Sequence, residues 1–243
     1  MTVGMLALAA ALAAHGGALQ SGNALGIVKV ASDMGATPLA VPFAAADAPA
    51  KTGAQLVSTN SLAAGDQIIV YDAGFYTAVT YDGEKWTAGT YTAKEGEAEL
   101  TVGDPAATGP APGTAFWLVR TNDLSRAVYL AGSVPASYAA VTVTASPMLL
   151  ASPKAEPFAY YAAGKISGAA AGDRIVVPQT GGAKFISTFN GEKWMYTELV
   201  EVIPGLPKKA VSKEANDSCD IPMGLGFWYI RASTEGDAPT VTW

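Results

Sequence analysis

The sequence predicts an all-β protein, built as two homologous tandem β-sandwich or β-barrel domains after a signal-like N-terminal segment. Three observations lead there. A set of short motifs occurs twice, in the same order. Apolar runs rich in β-branched and aromatic residues alternate with turn dipeptides. Gly (26) and Pro (15) are spread through the 243 residues, which suits short strands joined by many turns.

The repeat sets the domain organisation. AGDQIIV at 64–70 returns as AGDRIVV at 171–177, 107 residues later. YDGEKW at 81–86 returns as FNGEKW at 189–194, 108 residues later. PGTAFWLVR, ending at Arg120, returns as PMGLGFWYIR, ending at Arg231, 111 residues later. LAVPF at 39–43 aligns with LLASP at 149–153. The predicted boundaries are 1–23 for the leader, 24–134 for the first β domain and 135–243 for the second. The join, GSVPAS at 132–137, is too short to give much freedom.

Within each unit, strands begin at Val28 and Val30 and at Val141 and Val143, where β-branched residues alternate with others. The clearest element is a hairpin. Asp82-Gly83 and Asn190-Gly191 predict two-residue type I′ turns. That register pairs Tyr81 with Glu84 and Val79 with Trp86, and it gathers Phe75, Val79, Tyr81 and Trp86 on a core face. Tyr76, Ala78, Thr80, Lys85 and Thr87 then face solvent. In the second copy the core face carries Phe185, Phe189, Trp194 and Tyr196. The runs Phe116 to Val119 and Phe227 to Ile230 are apolar on both faces. They predict strands in the middle of a sandwich or barrel, or strands that offer one face to a neighbour such as the other domain. The Ala-rich stretches at 44–50 and 167–171 predict a helical turn each. The last strand, ending at Trp243, either completes the second domain's sheet or leaves an edge for pairing between molecules.

The leader reads MTVGMLALAAALAA, apolar but shorter than the roughly 20 residues a membrane span requires, and small residues follow it. This predicts a secretory signal peptide cut between Ala13 and Ala24, although no Lys or Arg precedes the apolar run and the first charged side chain is Lys29. No later apolar run is long enough to span, so the mature chain is expected to have no membrane span and to be secreted, periplasmic or at the cell surface.

Taken together, each half shows a Val-rich strand, AVPF or LASP, GDxI, a hairpin with GxxW, and a turn before a Phe-Trp strand. This order resembles an uncharacterised family of exported bacterial β-rich repeat proteins of the Verrucomicrobia type, with GDxI, GxxW and GFW motifs. The resemblance covers nearly all of the chain beyond the leader. It implies export and an all-β fold, and it brings no active site with it. Ala115 before Phe116 departs from the GFW form.

The chemistry available is sparse. With 15 Lys and Arg against 21 Asp and Glu, the net charge of −6 argues against nucleic acid or anionic lipid as partner. The one histidine, His15, lies in the predicted leader, so Ser-His-Asp and Cys-His catalysis is not expected of the mature chain. No metal and no cofactor is expected: phosphate-binding and dinucleotide fingerprints and the EF-hand loop are missing, and zinc sites need more Cys and His. Cys219, between acids in DSCDIP, reads as an incidental or buried thiol. Asp66 and Asp173 are the repeated acids; a catalytic pair is conceivable, but an Asp before a strand more often caps its own turn. Glu84 and Glu192 fall at the hairpin rim. Trp and Tyr faces that stack on sugar rings are the remaining lead. Trp86 and Trp194 read as core. Trp117, Trp228, Tyr160 and Tyr161 are the candidate ligand-binding residues, with core packing or a strand-edge pair as the competing reading. The expected function is that of a non-enzymatic structural or interaction protein of the cell envelope or extracellular space. The alternative is a carbohydrate-binding β module. The corresponding partners are an envelope protein, a glycan, or another copy through strand edges.

Overall fold

The computed structural model describes residues 25–32, 35–40, 57, 62–72, 75–88, 100–102, 113–121, 126–133, 138–154, 156–179, 182–200 and 209–243. The predicted leader, His15, and the stretch 44–50 lie outside the described residues.

The protein is all-β. In the first half the strands are β1 (Leu25–Ser32), β2 (Ala36–Ala40), β3 (Gln67–Asp72), β4 (Phe75–Tyr81), β5 (Trp86–Ala88), β6 (Leu100–Val102), β7 (Ala115–Val119) and β8 (Arg126–Ser133). In the second half they are β9 (Val141–Thr142), β10 (Met148–Ala151), β11 (Ile166–Ser167), β12 (Arg174–Gln179), β13 (Gly182–Phe189), β14 (Trp194–Val200), β15 (Lys209–Glu214), β16 (Gly226–Ile230) and β17 (Thr240–Val241). The larger sheets run β2-β7-β3-β4-β5 and β10-β16-β12-β13-β14-β15. The register agrees position by position. Gln67, Ile68 and Ile69 lie opposite Val119, Leu118 and Trp117; Arg174, Ile175 and Val176 lie opposite Ile230, Tyr229 and Trp228. Where the halves part is in a late strand: β6 runs parallel to β4, whereas β15 runs antiparallel to β14.

A smaller sheet faces each large one. β11-β17-β9 covers the second sheet, and β1-β8 covers the first, with Val57 bridged to Leu130 where Ile166 meets Val241 in the second half. Alternation places Val28, Val30, Val128 and Leu130 against Ile68, Val79, Phe116 and Leu118 in one core. Val143 and Val241 meet Ile175, Phe227, Tyr229 and Trp194 in the other. Two facing, separately hydrogen-bonded sheets make each half a sandwich rather than a closed barrel. Trp243 is buried against Phe158 (ring centroids 5.0 Å apart) and Phe227, so the terminal strand completes the small sheet from its middle position.

Four sequence expectations change in detail. The hairpin turns have four residues, not two: Tyr81 pairs with Trp86 and Phe189 with Trp194. The cause is the turn's own side chain. Asp82 Oδ1 accepts from the amides of Glu84 (2.9 Å) and Lys85 (2.8 Å), and Asn190 Oδ1 accepts from Glu192 and Lys193 at the same distances. A shift of two residues keeps the parity of faces, so Trp86 still lies on the core side with Val79 and Tyr81. The opposite face is less wet than expected, since Ala78 is buried there. The early strands align one residue away from the motif match, because Leu39 opposes Phe116 as Leu150 opposes Phe227. Finally, 167–171 holds the end of β11 and a turn rather than a helical turn; the 3-10 turn among the described residues is at Asp217–Cys219, where Cys219 is buried as a free thiol.

Candidate functional site

The repeated acids are structural anchors in both halves, solved in two ways. Asp66 and Asp173 precede β3 and β12 and are fully buried. Each closes its own turn, accepting from Ala63 N (3.0 Å) or Ala170 N (3.1 Å). Each also reaches across to the residue after the Phe-Trp strand: Asp66 Oδ1 accepts from Thr121 N at 2.9 Å, and Asp173 Oδ1 from Ala232 N at 2.7 Å. The carboxylate thus ties the start of one strand to the end of its neighbour. A buried charge still needs a compensating partner. In the first half this is Arg120, buried, with Nε 3.7 Å from Asp66 Oδ2. In the second half it is Tyr229, whose hydroxyl donates to Asp173 Oδ2 at 2.7 Å. Burial, then the Asp173 carboxylate, holds the Tyr229 phenol far above its ordinary range. Arg231, the counterpart of Arg120, turns outward to the carbonyls of Gly236 and Asp237. Glu84 and Glu192 are exposed at the hairpin tips, and Lys193 pairs with Glu214 at 2.8 Å.

The candidate aromatic residues separate. Trp117 and Trp228 come together: their ring centroids lie 6.1 Å apart, tilted by 40°. Both are half-buried at the junction of the halves, around Ala40, Ala115, Leu149 and Ala151. Their strands are apolar on both faces because each buries Phe and Leu or Tyr inward and meets the other half outward. Beyond the pair an apolar row continues along the outer face of the second sheet. Val176 opposes both Trp228 and Ile186, and Ile186 is 46% exposed.

Tyr160 and Tyr161 do not form an exposed patch or a strand edge. They lie in a turn, edge to face with centroids 5.5 Å apart. Tyr160 is enclosed by Phe185 and Trp194, and its hydroxyl, near Ser187 and Cys219, makes no hydrogen bond among the described residues. Tyr161 is half-buried and donates to Asp220 Oδ1 at 2.8 Å; burial and that carboxylate push its phenol up to about 12. Tyr160 therefore has no free face for a ligand.

Sequence reasoning missed Arg120 and Tyr229 as partners of the buried acids. The signal was there in the aligned Leu118 and Tyr229: one half has a hydroxyl where the other has none. It also missed the outward Ile27 (74% exposed) and Tyr129 (41%) on the first small sheet, with Lys29 Nζ 6.0 Å from the Tyr129 ring centroid. The second small sheet carries Thr142, Thr240 and Thr242 on its β9 and β17 side. Among the described residues there is no cluster of three or more His, Cys, Asp or Glu that could hold a metal, and no helix long and apolar enough to cross a membrane.

No protein-family model, curated protein or solved structure matches the chain.

Proposed function

We propose that this is an exported, non-enzymatic structural or interaction protein of the bacterial cell envelope or extracellular space, made of two homologous β units. The observation that carries the reading is the use of the repeated acids. Asp66 and Asp173 spend both carboxylate oxygens on turn amides, the neighbouring strand, and Arg120 or Tyr229. At these acids the fold duplicates a fastening, which supports a non-enzymatic reading. The signal-like leader and the resemblance to exported β-rich repeat proteins support the compartment.

A second reading, a carbohydrate-binding module, is favoured by one observation. The half-buried Trp117–Trp228 pair leads into Val176 and the exposed Ile186 on one sheet face. Aromatic and aliphatic faces of that kind suit the apolar faces of sugar rings.

Native mass by light scattering, with electron microscopy of the protein recovered from the envelope fraction of cells that make it, separates the two. Ordered polymers or a large closed assembly would support the structural reading. A stable monomer whose Trp fluorescence changes with a glycan, and no longer does so after Trp228→Ala, would support the second. Retention of the full chain in the cytosol would overturn both.

A further inference from the structure

Several contacts across the junction of the halves recur with the roles of the halves exchanged. Leu39 bridges to Leu225, and Thr114 bridges to Leu150. Ala40 N donates to Gly224 O at 2.9 Å, and Ala151 N donates to Gly113 O at 3.1 Å. Adding 111 to a first-half residue number gives its second-half counterpart in both pairs, and it carries Trp117 onto Trp228, whose rings touch. An interface in which residue i meets j and the counterpart of j meets the counterpart of i is self-complementary, as between the subunits of a two-fold dimer.

The halves also close each other's cores. Gly224, at φ +80°, comes so near the first half that a Cβ there would lie 2.5 Å from Val30 Cγ2 and 3.1 Å from Val28 Cγ1. Met223 and Leu225 pack on that same core. In return Gly113, at φ +90°, sits where a Cβ would lie 2.5 Å from Val141 Cγ2 and 3.0 Å from Trp243 Nε1. Positive φ and this closeness both require glycine. At the centre the symmetry is broken by one methyl group. Ala115 faces Gly226, and a Cβ on Gly226 would fall 2.7 Å from the Ala115 Cβ and 3.0 Å from the Pro38 Cβ.

We propose that this surface is a docking site for a second unit of the same kind, occupied in this chain by its own other half and equally able to take the matching half of another copy. Ala115 opposite Gly226 is its specificity determinant. Two first halves would bring two alanines into the space of one Cβ, so unlike halves pair in preference to two first halves. This rests on reading the halves as homologous units, and on neither the export nor the glycan reading.

The test starts from the folded full chain, carrying a protease site in the join at 134–137 that is opened after folding. The expected result is that the halves stay together at the mass of the intact chain. Nicked protein with a tag on its first half is then mixed with untagged nicked protein in denaturant and refolded. Capture on the tag should bring down untagged second halves and almost no untagged first halves. Gly226→Ala should lower that capture about tenfold, an overpacking effect, and adding Ala115→Gly should restore most of it. The proposal is overturned if the opened halves part and each keeps its own cooperative melt. It is equally overturned if no pair re-forms, if tagged first halves capture first and second halves alike, or if Gly226→Ala leaves capture unchanged. Failure of the functional reading would appear in the location and assembly of the intact chain, which this experiment does not read.

Discussion

Replacing Asp173 with alanine removes one acceptor group from three donors at once: Ala170 N, Ala232 N and the buried Tyr229 hydroxyl. Hydrogen bonds to a charged group contribute roughly 1.5–3 kcal/mol each, and a stranded buried donor costs about 1–3 kcal/mol. The loss is offset in part, because the variant no longer has to bury a carboxylate. The two amides are only partly buried and can turn to water, whereas the Tyr229 hydroxyl cannot. The net expectation for Asp173→Ala is a loss of about 3–5 kcal/mol. For a chain of this length that is a fall in Tm of roughly 6–20 °C. Tyr229→Phe removes one of the three bonds and should lose about 1–2 kcal/mol. The double variant strands no hydroxyl, so it should be less damaged than the sum of the two by about 1 kcal/mol or more. Urea unfolding, followed by Trp fluorescence and circular dichroism on the four proteins of the cycle, measures each quantity. The fastening role of Asp173 would be refuted by an Asp173→Ala protein within about 1 kcal/mol of the parent, or by strict additivity with Tyr229→Phe.

Other consequences are open to simple measurements. The phenols of Tyr160 and Tyr229 are held above their ordinary range of 10 by burial first and by their neighbours second, and Tyr161 is pushed up to about 12. Protons held more tightly in the folded state give stability that is complete below pH 10 and is lost as pH rises through the folded values. The urea midpoint should therefore fall above pH 10, with a shallower fall in Tyr229→Phe; a midpoint flat to pH 12 would contradict the burial of these phenols. Trp194→Ala should cost about 3–5 kcal/mol, since the indole is packed against Tyr160, Phe189 and Tyr229; an unchanged melting temperature would remove Trp194 from the core. Gly172, at φ +94°, has room for a Cβ only 3.0 Å from the Ala232 Cβ, so Gly172→Ala should lose at least about 1–2 kcal/mol, and equal stability to denaturant would show the turn to be freer than described.

Most of the local structure was legible because it rests on short-range rules. β-Branched runs beside Gly-containing turns marked β3, β4, β12 and β13, and the doubly apolar Phe-Trp runs marked β7 and β16 as strands with neighbours on both sides. The hairpin faces survived a wrong turn length, because the error was an even number of residues. The length itself depends on where Asp82 and Asn190 point their side chains, which the dipeptide alone does not say. The junction was the illegible part. Its contacts join residues such as Leu39 and Leu225, and nothing in either local pattern selects that partner. Tyr160 was misread for the opposite reason: the turn around it has loop composition, yet its ring fills the core beside Trp194. The buried acids were read as turn caps from their own neighbourhood; their grip on Thr121 and Ala232 came only from the fold.

The exchange of turns at Gly113 and Gly224 also has a bearing on synthesis. Val28 and Val30 leave the ribosome well before the residues that cover them, Met223 to Leu225, have been made. The first half can pair its strands as soon as they appear, but its core has no complete wall until Met223 to Leu225 have been added. Throughout that interval the chain presents an unfinished apolar socket, which closes only when Met223 to Leu225 reach it.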